Sequence, residues 1–400
     1  MSEEKPFVVV NYPADTSGCY FYRMLAPRLS VQSCINNVTF TETSRFIGDP
    51  QWFNDVNLCH LQRQVNDVQC DYYTKFIVPV SQRTGMWVVY NIDDAVGMDD
   101  IPKYNSAWEA YQDPKLMQNV AMMMQQSDFL LVTTEYLKNY YVSKFGVDPK
   151  KTLVIPNYLP KWWLGQYYDL QRSLSNYDKH KKKPRIGVIA SSTHYDIHNK
   201  NDGIDDFTHI IPFIKRTMDR YRWVFVGCVP QQLQSPEFKG KFDLVRGENI
   251  MNYPDLIGSI NCQVIVQPLL NNEFNRCKSN IKFLEAAALG TPLIAQRLNI
   301  YEPYTDLLFD DSAELQEKLD YVLSDREKFK SIIKKQKKEL DNGRGGKGWW
   351  LENNLEDWAQ FYRLTKKCLN IDLNLILEEE KKKETEKEQE EISKDLEIIR

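Results

Sequence analysis

Residues 268–292 read PLLNNEFNRCKSNIKFLEAAALGTP, and they hold the side chains best suited to chemistry. Lys278, Lys282 and Glu285 follow one another at intervals of four and three residues, so they share one side of a loop and the helix it enters. Ser279 is suited to cap that helix, because its hydroxyl can accept from a free first-turn N–H. Gly290 and Pro292 supply the stop signal. Leu284, Ala287 and Ala288 fall on another side and can face a sheet. A helix N-terminus carries partial positive charge, and two lysines beside it add to its attraction for a phosphate. A carboxylate about two turns further in can accept hydrogen bonds from ribose hydroxyls. These residues suit a nucleoside diphosphate. The alternative they leave open is a surface helix with Lys282 and Glu285 as a solvated pair.

The elements that position this stretch follow from apolar runs. CQVIVQPL before it and TPLIAQ after it read as buried strands, as do RIGVIAS, RWVFVGC and FDLVRG upstream, with a helix starting near Tyr253. The loop after RIGVIAS supplies Ser191, Ser192, Thr193, His194 and Lys200, with His194 a candidate base or plain polar surface. Earlier in the chain, PFVVVN is a first strand, and Gly18 precedes an amphipathic helix containing Arg23 and Leu25. Gly at that turn lets a ligand approach the backbone, although no G-x-G-x-x-G fingerprint is present. Strands are expected at 58–60, 76–80, 87–91 and FLLVTT, and helices at 115–126 and 135–145. The strand at 87–91 leads into Asp93 and Asp94, where ligands of doubly wound sheets gather. A carboxylate pair there can bind an acceptor hydroxyl or assist its deprotonation. The alternative is a loop carboxylate capping the next helix, and Asp99 and Asp100 lie close enough to compete for either role. The pair is not a D-x-D metal motif, so no metal site is expected.

The pattern P-L-x-N-x-x-F-N-x-x-K-S-x-x-K-x-x-E-A-A-x-x-G-x-P resembles the donor-nucleotide motif of GT-B glycosyltransferases of the family 4 (group 1) kind. SDFLLVTTEYL with KFGVDPKKTLVIPN resembles the close of their N-terminal domain, and the likeness extends over residues 1–370. It implies an α/β fold of two Rossmann-like domains facing a cleft. Residues 1–157 would form the acceptor-side domain, 158–183 a linker, and 184–345 the nucleotide-sugar domain. A helix at 346–370, with Trp350, Leu355 and Trp358 at core spacing, would cross back to the first domain, and 371–400 would be a charged tail. Glu285 would hold the ribose. Asn275, Lys278, Ser279, Asn280 and Lys282 would serve the rest of the donor, with Gly18 and Ser192 facing it from their loops. Asp93 or Asp94 would orient the acceptor. The resemblance implies a retaining transferase using a nucleotide sugar, UDP-linked by expectation, and no further cofactor. One position departs: many members carry a second Glu eight residues before the ribose Glu, and here that residue is Cys277. That substitution keeps open a non-catalytic nucleotide-sugar-binding protein.

Composition bounds the rest. The chain has 400 residues, 42% of them hydrophobic, enough for two domains. No apolar stretch is long enough to span a membrane, and the acidic start, MSEEKPFVVV, is unlike a signal peptide. The eight cysteines form no C-x-x-C pair, so reduced thiols and a cytoplasmic setting are expected. The net charge of −4 is accounted for by the last 23 residues, with ten acidic and six basic side chains. Such a chain resembles the glycosyltransferases of large tailed bacteriophages, some of which act on 5-hydroxymethylcytosine in DNA. A double-stranded DNA partner would need a basic rim, which 179–185 and 334–338 could provide. The rival acceptor is a cell-surface or lipid-linked glycan.

Overall fold

Runs such as FVVVNY, WVVYN and VIVQ have no polar face to offer water, so they form strands covered on both sides. The computed structural model describes residues 6–34, 38–196, 201–359 and 361. Lys200, the end of the expected crossover helix and the charged tail lie outside them.

Among the described residues the strands make two parallel six-stranded sheets. The first holds β1 (Phe7–Tyr12), β2 (Val38–Glu42), β3 (Leu58–Gln62), β4 (Trp87–Asn91), β5 (Phe129–Val132) and β6 (Thr152–Val154), in the order β2-β1-β3-β4-β5-β6. The second holds β7 (Arg185–Ala190), β8 (Arg222–Gly227), β9 (Asp243–Val245), β10 (Val264–Gln267), β11 (Leu293–Gln296) and β12 (Leu308–Phe309), in the order β12-β11-β10-β7-β8-β9. Strand order reverses at β1 and again between β7 and β10, so the loops after those strands open into a crevice. Gly18 follows β1, Ser192 follows β7, and Lys278 follows β10. No described helix is long and apolar enough to cross a membrane.

Two contacts tie the halves together through apolar surface. Phe21, Trp163, Leu284 and Leu293 belong to one cluster running from the first sheet to the second. Phe274 and Cys277, from the loop after β10, are buried in the first sheet's own cluster with Tyr90 and Met123. Burying a side chain of Phe274's size stabilises this arrangement by about 1.5–3 kcal/mol.

The segment 76–80 is helical rather than a strand. It lies in a helical run that starts at an Asn66–Gln69 capping box and ends at Gly85, whose φ is +75°. Cys70, Tyr73, Ile77 and Val80 repeat at helical spacing and are all buried, which outweighs the β-branched residues there. Trp349 and Trp350 are also not helical. After the helix Arg326–Asn342, Gly345, Gly346 and Gly348 all take positive φ and turn the chain. Leu159 N then donates to Trp349 O at 3.0 Å, and Leu351 N donates to Leu159 O at 2.8 Å. Helix resumes at 355–359, where buried Trp358 lies 5.6 Å from the Arg23 guanidinium.

Candidate functional site

The stretch after β10 forms a short turn, Glu273–Arg276, and then the helix Ile281–Leu289. The helix stops at Gly290, with φ of +66°. Ser279 is not the cap. Asn280 holds that position without a capping side-chain bond, because the preceding turn leaves Ser279 outside the helix and facing the first domain. There its hydroxyl accepts a hydrogen bond from Asn157 Nδ2 at 3.1 Å.

Lys282 and Glu285 do share a face, but not as a solvated pair. Lys282 Nζ lies 2.9 Å from Glu285 Oε2, and Glu285 is 4% exposed. Tyr253 donates to the same oxygen at 3.1 Å. From the first domain, Tyr22 donates to Oε1 at 2.9 Å. Burial opposes the charge on Lys282, but Glu285 outweighs it and holds the ammonium well above its usual pKa. Both tyrosines escaped sequence reasoning, since neither lies in a pattern that points to Glu285.

Asp94 meets this stretch across the crevice, with Lys278 Nζ 3.6 Å from Oδ1. On its other side Arg63 Nη1 is 3.4 Å from Oδ2, and Arg63 Nη2 is 2.8 Å from Asp15. Burial alone would raise the pKa of Asp94, but Lys278 and Arg63 reverse the sign and hold it below the usual value. Asp93 goes the other way: burial first, then the Asp94 charge, push it up. Two adjacent carboxyls therefore hold protons differently, the arrangement that separates acid from base roles. Asp100 is occupied elsewhere, bonded to Tyr140 at 2.8 Å and to Lys144, and Asp99 is exposed. Gly18 lies beside this pair through its neighbour Cys19, whose sulfur comes within 4.8 Å of ligand atoms of Asp93 and Asp94. A Cβ added at Gly18 would meet open space. With Arg63 and Lys278 already against Asp94, the trio is poorly matched to a cation.

Asn275 is fully buried and braces the site instead of lining it. Its Nδ2 donates to Asp206 Oδ1 at 2.8 Å and to Leu270 O at 2.9 Å. Asp206 also accepts from Tyr104 of the first domain at 2.7 Å and from His194 Nδ1 at 2.7 Å. A carboxylate can only accept here, so Nδ1 carries the proton and Nε2 is left for a ligand. Ser192 shares the turn Ser192–His194 at the end of β7. His194 gains a buried orienting partner that no local pattern around it foretold.

Cys277 is fully buried among first-domain apolar residues, and burial pushes its thiol pKa up. The side chain where many family 4 enzymes carry Glu is therefore packed into the first sheet's apolar cluster. Cys277→Glu is expected to lower stability by about 3–5 kcal/mol, the cost of an uncompensated buried charge. Urea unfolding near neutral pH checks this, and a loss under about 1 kcal/mol contradicts the packing.

A family model described as glycosyl transferase-like matches residues 238–343, which include Lys278 to Glu285 but not Asp93, Asp94 or His194. No curated protein sequence matches the chain. Among solved structures, Anabaena HepE (Alr3699) with UDP and glucose has a TM-score of 0.58 at 10% identity, covering 90% of this chain and all of its own (100%). A Rickettsia africae glycosyltransferase has a TM-score of 0.56 at 12% identity, covering 91% and 99%. WaaG, a glycosyltransferase involved in lipopolysaccharide biosynthesis, has a TM-score of 0.52 at 11% identity, covering 88% and 98%. The fold is GT-B. At these identities the likeness speaks for the fold alone. The GT-B crevice is where Lys278 faces Asp94, and where the loops carrying Gly18 and His194 open.

Proposed function

We propose that the protein is a glycosyltransferase that moves a sugar from a nucleotide-sugar donor, UDP-linked, to a hydroxyl acceptor. The observation that carries this reading is the approach of Lys278, beside the N-terminus of the helix Ile281–Leu289, to Asp94 of the opposite domain. HepE has been solved with UDP-glucose, which makes UDP the first nucleotide to test. Glu285 would take the ribose hydroxyls, exchanging its bond to Tyr22 for them. Lys278 and the helix N-terminus would meet the diphosphate, with Ser279 and Asn280 beside them. His194 Nε2 would contact the diphosphate from the β7 loop, with Ser192 next to it and Gly18 leaving room opposite.

In the transfer, the bond from the anomeric carbon to the diphosphate oxygen breaks, and the diphosphate leaves with the electron pair. The acceptor oxygen bonds to that carbon and its proton passes to the Asp93–Asp94 pair or to the leaving group. Lys278 offsets the charge that develops on the diphosphate, an electrostatic effect that is strongest away from water. Retention of configuration belongs to this reading through the family 4 resemblance, and the anomeric proton coupling of the product tests it.

The specific acceptor to test first is 5-hydroxymethylcytosine in DNA. Its expected rim is only partly available: Lys335 pairs with Asp306 and Lys337 with Asp341, and neither basic cluster lines the cavity that Lys278 faces between the domains. Purified protein is incubated with nucleotide sugars and with duplexes carrying hydroxymethylcytosine or cytosine, and the nucleosides are weighed. A sugar-sized gain only on the hydroxymethylated duplex supports the DNA acceptor. Donor hydrolysis without DNA modification keeps the transferase and moves the acceptor to glycans. Nucleotide binding without hydrolysis or transfer supports a binding protein, and no nucleotide binding overturns the reading.

A further inference from the structure

The loop that carries Asp93 and Asp94 continues past them and is fastened to both domains. On the first-domain side, Tyr140 of the helix Glu135–Phe145 accepts from Gly97 N at 2.7 Å and donates to Asp100 at 2.8 Å. The fit is tight, because a Cβ added at Gly97 would collide with Tyr140 Oη and Asp100 Oδ2. Further along, Tyr104 reaches the second domain. It is 4% exposed, and its hydroxyl donates to Asp206 Oδ1 at 2.7 Å. Asn275 Nδ2 lies 3.3 Å and Asn272 Nδ2 3.4 Å from the same oxygen, each placed to donate to it. Burial first, then the Asp206 charge, push the Tyr104 pKa up, so the hydroxyl remains a donor near neutral pH.

Asp206 is 1% exposed, and the bonds from three separate loops converge on it. Besides Tyr104, its Oδ1 accepts from Leu270 N and Asn275 Nδ2, both at 2.8 Å, while Oδ2 accepts from His194 Nδ1 at 2.7 Å. An ionised carboxyl offers about four acceptor sites, so these four donors fix its plane. Leu270 and Asn275 belong to the second domain's own loop after β10, and Tyr104 alone of the four comes from the first domain. His194 also acts on the acceptor side. Burial raises the pKa of Asp94, Lys278 and Arg63 do most to lower it, and His194 adds to that lowering.

We propose that Tyr104 is a positioning residue: through Asp206 it sets the His194 ring, and it ties that ring to the loop carrying Asp93 and Asp94. Tyr104→Phe keeps the packed ring and removes the proton that Asp206 Oδ1 accepts. The carboxylate then loses its one anchor in the first domain, and the direction in which it holds His194 Nδ1–H loosens with it. The orienting of His194 stands on these bonds alone. Its use, with Nε2 meeting the donor diphosphate, rests on the glycosyl-transfer reading.

Calorimetry measures the Kd for UDP in the full-length wild type, Y104F, His194→Asn and the double variant. H194N keeps an amide N–H that can donate to Asp206 and removes Nε2. Y104F is expected to weaken UDP binding about three- to tenfold in the wild-type background. In the H194N background it is expected to change the Kd by under about twofold, because the nitrogen it positions is gone. Equal losses in both backgrounds, or an unchanged Kd in Y104F, overturn the proposal. The free protein supplies a second readout: NMR follows exchange with water of the His194 Nδ1 proton, identified by its loss in H194N. Exchange at least about tenfold faster in Y104F supports the positioning role. 3-Fluorotyrosine introduced at Tyr104 alone keeps the packing, makes the hydroxyl a stronger donor, and is expected to slow the exchange even if Y104F does not fold. Exchange unchanged by either replacement, or already at the rate of an exposed histidine in the wild type, overturns the proposal. If UDP does not bind the wild type but the exchange rates shift as expected, the positioning role stands and the donor reading falls.

Discussion

On the proposed glycosyl transfer, Asp94→Asn is expected to lower kcat by about 10²–10⁴-fold, the range for removing a positioned acid–base group, while UDP affinity changes only a few-fold. The substitution keeps the side chain's shape but removes the charge that Lys278 and Arg63 face. The pH profile supplies a second readout. Burial and the Asp94 charge raise the pKa of Asp93, so in the wild type Asp93 takes up a proton above the usual carboxylate value of about 3.9 as pH falls. Without the Asp94 charge that push weakens, and the acidic limb of kcat/KM moves to lower pH. Stability carries the opposite sign for Asp94. Its folded pKa is depressed, so its contribution is present above the unfolded value and is lost as pH falls through the folded one. Steady-state kinetics from pH 4 to 8 read kcat and the acidic limb, and urea unfolding over the same range reads the stability. Unchanged kcat with an unchanged acidic limb removes Asp94 from the acceptor side.

Glu285→Ala strikes stability and nucleotide binding together. Lys282 is left without its counter-ion while Tyr22 and Tyr253 lose their acceptor. Breaking a deeply buried pair costs about 3–5 kcal/mol. Lys282 keeps 25% of its side chain exposed, so about 2–4 kcal/mol is expected here after solvent screening. Glu285→Gln retains an acceptor for the tyrosines and loses less. In both variants the charged hydrogen bond that the proposed site gives to ribose would be gone, worth about 1.5–3 kcal/mol, so the Kd for UDP is expected to rise roughly 10- to 100-fold. Calorimetry at a temperature where E285Q is folded separates binding from unfolding. An E285Q protein that binds UDP like the wild type would show that the Lys282–Glu285 pair is a structural brace between the domains.

The α/β character was legible because its signals are local, while the arrangement as two domains facing a cleft came from the resemblance of residues 268–292 to a known motif. Apolar runs such as FVVVNY and VIVQ can only be buried strands, and Gly290 with Pro292 ends a helix wherever that helix packs. Where two local signals competed, the tertiary structure chose: the buried faces of Tyr73, Ile77 and Val80 made 76–80 helical despite its β-branched residues.

The candidate site divides in the same way. Sequence spacing alone put Lys282 and Glu285 on one face, because three residues nearly complete a helical turn. It also put Asp93 and Asp94 at the end of a strand. It could not pair Lys278 with Asp94, 184 positions apart, nor bring Tyr22 to Glu285 across 263 positions. It could not tell that Cys277 belongs to the first domain's core, or that Asp206 orients His194. The cross-domain relations depend on how two domains, each folded from its own stretch of chain, dock, whereas the His194–Asp206 bond is made within the loop between β7 and β8. Helix and strand periodicity reports which side of an element is apolar, whereas the partner across a crevice is fixed only when the domains dock.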